Sequence, residues 1–124
     1  MSRPTRTTQP VPVVSPNDVE RIVRREFKDD EVAEVLAVLN QFGTDKEDRG
    51  TVRVQLAALK LADGNREKLL SNIEAAKRDY RDILAIAEYP EYHRTGFRVR
   101  ELTDDDQARI IDGDWQQYEG WLRK

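Results

Sequence analysis

The run Thr51-Val-Arg-Val-Gln-Leu-Ala-Ala-Leu-Lys-Leu-Ala62 decides the fold. At 100° per residue, Val52, Leu56 and Leu59 make one apolar stripe, and Val54, Ala57, Ala58 and Leu61 make a second on the opposite side. A helix that is apolar nearly all round is enclosed by other elements rather than laid on a surface. Its polar remainder is a thin edge where Arg53 and Lys60 point the same way. A strand competes for the first half, because Val52, Arg53, Val54, Gln55 and Leu56 alternate with period two. The second half, Leu56 to Ala62, breaks that alternation and consists largely of strong helix formers. The run therefore predicts the buried central helix of an all-α domain.

Working outward, Asp63-Gly64-Asn65 ends the central helix, with Gly64 supplying a positive φ and Asn65 capping the next helix. So short a connection folds that helix back as an antiparallel hairpin. It runs over about 66–88, with Leu69, Ile73, Ala76, Tyr80, Ile83, Leu84 and Ala87 in one arc and Pro90 as its stop. Upstream, Thr44 and Glu47 have capping-box spacing before the central helix, whose first turn Gly50 loosens or delays. A helix over about 31–42 carries Val32, Val35, Leu36, Leu39 and Phe42, with Asp29 and Asp30 before it and Gly43 as its C-terminal cap. The first helix opens at Ser15-Pro16-Asn17-Asp18 and turns Val19, Ile22, Val23 and Phe27 inward. Residues 91–102 read as a connection, extended around Phe97-Arg98-Val99-Arg100. Thr103 and three aspartates then open a last helix with Ala108, Ile111, Trp115, Tyr118 and Leu122 on one face. The expectation is a single helical domain over 15–124, a bundle of four to five antiparallel helices.

Composition narrows the function classes. The chain has 124 residues, a net charge of −3, 36% charged residues and no cysteine. Disulfides, thiol catalysis and cysteine zinc sites are excluded, and the charge balance makes no global case for nucleic acid or an acidic membrane surface. No apolar run approaches the ~20 residues of a membrane span. Residues 1–14 combine three prolines with arginines, serine and threonines and no acid, which predicts a disordered tail. The tail resembles a transit peptide in composition but has no amphipathic pattern. Cytoplasm is the expected compartment.

Val52-Arg-Val-Gln-Leu-Ala-Ala-Leu-Lys-Leu-Ala62 together with Asp79-Tyr-Arg-Asp-Ile-Leu-Ala-Ile-Ala-Glu-Tyr-Pro90 resembles a type of small bacterial all-helical protein over about residues 50–91. The resemblance implies a bacterial helical hairpin. It implies no activity, cofactor or partner.

Several clusters could carry chemistry. Glu31 with Glu34, and Asp79 with Asp82, have the i,i+3 spacing that places two carboxylates on one helix flank, and such pairs can hold Mg²⁺ or Mn²⁺. They are broadly similar to the carboxylate sites of all-helical nucleotide pyrophosphohydrolases, which would imply hydrolysis of nucleotide-like phosphates. Asp79 stands where that pattern has a longer Glu, and no basic phosphate-holding motif accompanies the pairs. The structural alternative pairs Asp79 and Asp82 with Arg53 and Lys60 across the hairpin. His93, the only histidine, sits in a loop stretch with Glu88 and Glu91 as its acidic neighbours, and Ser2, Ser15 and Ser71 suggest no nucleophile. Arg94, Arg98 and Arg100 interleave with Phe97 beside Tyr89 and Tyr92, a pattern suited to weak single-stranded nucleic-acid binding. The acidic run Asp104–Asp106 opposes that reading by pairing with the arginines. Trp121 lies nearly 80° from the inward face of the last helix, where aromatic side chains can anchor an interface. The residues predict no catalytic group, no cofactor and no favoured metal site. They predict a protein-interaction or structural module that meets a protein partner or a second copy through Tyr89, Tyr92, His93, Arg94, Phe97, Arg98, Arg100 and Trp121.

Overall fold

The computed structural model describes residues 12–42, 50–96 and 101–124, and every regular element among them is helical. In chain order these are α1 (Pro16–Glu26), a 3₁₀ turn (Asp29–Glu31), α2 (Val32–Leu39), α3 (Thr51–Ala62), α4 (Arg66–Glu88), α5 (Pro90–Thr95) and α6 (Asp104–Leu122). No described helix is long and apolar enough to cross a membrane. The expected tail up to residue 11, the Gly43 cap, the Thr44–Glu47 capping box and the extended stretch at 97–100 lie outside the described residues. Internal contacts gather into two units, Val13–Ala87 and Glu88–Lys124, the second taking in Pro12.

In the first unit α3 spans the twelve residues its pattern predicts. Val54 through Leu59 are buried without interruption, and Ala62 with them, so the helix is enclosed on all sides along its middle. Burying each large aliphatic side chain contributes about 1.5–3 kcal/mol, which makes this helix the densest source of stability in the unit. Gly50, at φ +59°, stands immediately before it and sets its start at Thr51. α1 packs on α3 and on α2 with Val19, Ile22, Val23 and Phe27 buried, and Ser15 N–H donates to the Asp18 carboxylate at 3.0 Å to close its first turn.

α2 is shorter than its apolar pattern. It begins with a 3₁₀ turn and ends at Leu39, while Phe42 stays in the core at 1% exposure from beyond the helix. Its end is secured from a distance: the buried Gln55 amide of α3 donates to the carbonyls of Leu39 at 2.9 Å and Phe42 at 3.3 Å. The Leu39 carbonyl is one that the helix terminus leaves without an intrahelical partner, and it also accepts from Phe42 N–H at 3.1 Å.

The α3–α4 turn matches its sequence signals. Asp63 and Gly64 both take positive φ, and a methyl group on Gly64 would stand 3.3 Å from the Glu26 carbonyl oxygen, so the position favours glycine twice over. Asn65 Oδ1 accepts from Lys68 N–H at 2.9 Å and caps α4. Asn72 donates to the Ala58 carbonyl at 3.1 Å; the two residues stand seven positions either side of Asn65, the pattern of a helical hairpin.

α4 departs from expectation at one residue. Asp79 takes φ −154° and ψ 96°, extended values that interrupt the helix near its middle. Neither glycine nor proline stands there. The Asp79 side chain restarts the helix by accepting from Arg81 N–H at 3.1 Å, as an N-cap does.

Candidate interaction groove

α5 occupies a stretch that sequence reading leaves as a connection. Pro90 ends α4 but also takes the first position of α5, where its fixed φ suits a helix and its missing N–H costs nothing. Six residues cannot hold a helix alone. Asp114 of α6, 3% exposed, supplies the support: its two carboxylate oxygens accept from Glu91 N–H at 3.1 Å and Tyr92 N–H at 2.9 Å. The anion thus meets the positive end of the α5 dipole and two otherwise unpaired donors. Gln117 Nε2 donates to the Glu88 carbonyl at 3.3 Å, and Thr95 Oγ1 donates to the Glu91 carbonyl at 2.8 Å.

α6 begins where its acids predict. Thr103 Oγ1 accepts from Asp106 N–H at 3.1 Å, and Asp104, Asp105 and Asp106 fill the first turn. Ile111, Asp114, Tyr118 and Leu122 are buried at helical spacing. Beside that face runs a second stripe, Ile110, Gly113 and Gln117. It lines a groove of about 470 Å³ whose other walls are Pro90 and Glu91 of α5 and Arg109 and Asp114 of α6. Gly113 deepens the groove, since nothing lies within 4 Å of where its Cβ would stand. Charges mark the rim: Glu91 pairs with Arg94, and Arg109 pairs with Asp106 at 2.7 Å. The groove is therefore partly apolar with a charged rim. The Asp114 carboxylate is engaged by backbone amides and serves the architecture.

The expected interaction residues are distributed unevenly. His93 and Arg94 are exposed on α5 and Tyr92 is half-buried beside them, whereas Tyr89 is buried at 3% exposure. Arg94 pairs with Glu91 on its own helix. Trp121 is half-buried, with its ring centroid 5.6 Å from that of Tyr118. Phe97, Arg98 and Arg100 lie outside the described residues.

Three of the paired acids have arginine partners. Glu31 and Glu34 both meet Arg66, the former at 3.2 Å from its Nε. Asp79 binds Arg81 through backbone N–H and guanidinium, and those contacts hold its carboxyl below the usual carboxylate range. The same pairing raises Arg81. Asp82 is exposed. Among the described residues, no three His, Asp or Glu side chains are gathered as a metal ion would need.

Asp114 and α5 are what sequence reading missed. The available signal was an acid inside the inward stripe of α6, three residues after Ile111 and four before Tyr118. A buried carboxylate requires donors, and Pro90 with Glu91 after it offered a helix start to provide them. No protein-family model, no curated protein and no solved structure matches the chain.

Proposed function

We propose that the chain is a non-enzymatic helical module of the cytoplasm that binds another protein or a second copy of itself through the groove between α5 and α6. The observation that supports this reading is the groove itself, lined by Ile110, Gly113 and Gln117 and ringed by Glu91 and Arg109. The polar side chains that could otherwise suggest chemistry are engaged in architecture, as with Asp114 at α5, Gln55 at α2 and Arg66 between Glu31 and Glu34. The same reading takes the helices to run antiparallel in a small bundle, the arrangement that short connections favour.

Gly113→Trp tests the proposal, because the position is exposed, has open space above it and fills the groove when substituted. Sedimentation at micromolar concentration should show self-association of the wild type that the variant lacks, or capture from the native host should recover a protein that the variant does not bind. Far-UV circular dichroism would establish that the variant is folded. A monomeric wild type that captures the same proteins as Gly113→Trp overturns the reading.

A further inference from the structure

Two features of α4 belong together. Its apolar arc, from Leu69 through Ile73, Ala76, Tyr80 and Ile83 to Ala87, keeps one helical phase across residue 79, as an unbroken helix would require. Yet Asp79 is extended, and Tyr80, at the centre of that arc, is only half-buried while Ile73, Ala76 and Ala87 are buried. The amino acids around the break, Ala75-Ala76-Lys77-Arg78 and Tyr80-Arg81-Asp82-Ile83-Leu84, include no glycine or proline to force it.

We propose that α4 carries two conformations, broken and continuous, and that the Asp79 side chain is the latch that selects the broken one. The latch is an N-cap placed inside a helix. Breaking the backbone at residue 79 frees amides at the start of the second half, and Asp79 Oδ1 takes up the one from Arg81. The Arg81 guanidinium closes over the same carboxylate at 3.1 Å and holds it in place. Without the carboxylate the freed amide returns to a helical carbonyl, and the arc regains the phase that buries Tyr80. The break lies within Val13–Ala87, and the device belongs to that unit.

The chain has no cysteine, so single introduced thiols can be labelled without background. Spin labels at Ser71→Cys and Ile86→Cys, both exposed positions, span the break. In a continuous helix their Cα atoms stand ~22 Å apart, fifteen residues at ~1.5 Å each. Asp79→Ala should move the measured distance to that value and give residue 79 a helical Cα chemical shift. Asp79→Asn keeps an oxygen acceptor for the Arg81 amide and should keep the wild-type distance. An Asp79→Ala protein with the wild-type distance and an extended shift at residue 79 overturns the proposal.

Tyr80→Pro against Tyr80→Ala gives a second reading if Asp79→Ala does not fold. Proline at 80 suits the first position of a restarted helix and disfavours helical geometry at residue 79. It should therefore be tolerated as well as alanine and lock the wild-type distance. A Tyr80→Pro protein that unfolds where Tyr80→Ala does not would mean that α4 is continuous in solution, and would also overturn the proposal.

Discussion

At the scale of single residues, Asp114 supports the start of α5 with both of its carboxylate oxygens. Asp114→Ala leaves the amides of Glu91 and Tyr92 without their acceptor and opens space at a site that is 3% exposed. The expected cost is about 2–3 kcal/mol in urea unfolding, with faster hydrogen exchange at the Glu91 and Tyr92 amides. Asp79 makes a different prediction, because its carboxyl is held below the ordinary range by the Arg81 side chain and amide. A depressed folded-state pKa means that the ionised form favours the folded chain. Its contribution is present above the unfolded carboxylate pKa and is lost as pH falls through the folded value. The stability difference between wild type and Asp79→Asn should therefore hold at neutral pH and shrink on acidification below the ordinary carboxylate range, read from urea midpoints. A difference that grew on acidification would contradict the assigned pairing.

At the scale of elements, α3 and α6 give opposite expectations. Leu56 is 0% exposed at the middle of the enclosed helix, so Leu56→Asp removes apolar burial and places a charge among Ala57, Ala58 and Leu59. Its cost approaches the whole ~5–15 kcal/mol stability of a domain, and calorimetry should show no cooperative transition. On α6, Gly113 and Gly120 are exposed in helical backbone with no atom within 4 Å of a built Cβ. Gly113→Ala should therefore stabilise by about 1 kcal/mol, a rise of roughly 3–6 °C in Tm. A fall in Tm would mean that something already occupies the space above Gly113.

At the scale of the whole molecule, the surface carries many local ion pairs, among them Arg21–Asp18, Arg24–Glu20, Arg109–Asp106 and Arg123–Glu119. Such exposed pairs are each worth under ~1 kcal/mol and are screened by salt, so half-molar sodium chloride should move Tm by no more than about 5 °C. Local signals were legible in the sequence. The twelve residues of α3, the Asn65 and Thr103 caps, the inward face of α1 and, on α6, buried Ile111, Tyr118 and Leu122 come from periodicity and capping, which act over three to seven residues, whereas Ala108 and Trp115 of the expected α6 face are half-buried. What escaped depends on partners far along the chain. Gln55 reaches back thirteen and sixteen residues to Phe42 and Leu39, and Asp114 reaches back more than twenty to α5. Asp79 escaped for another reason: its flanks read as helix, and a cap inside a helix has the same residue type and spacing as an ordinary surface acid. The groove was missed with α5, since a stretch read as a loop provides no wall.

The Asp114 contact also orders events on the ribosome. Glu91 leaves the synthetic machinery 23 residues before the side chain that accepts its amide. At ~5–20 residues per second, that interval lasts roughly 1–5 s. Throughout it, the α5 segment lacks the carboxylate that accepts its first amides. The emerging chain therefore offers the amides of Glu91 and Tyr92 without their acceptor for that interval on every round of translation. A stalled product ending before Asp114 would offer them indefinitely, a built-in mark by which incomplete chains differ from finished ones.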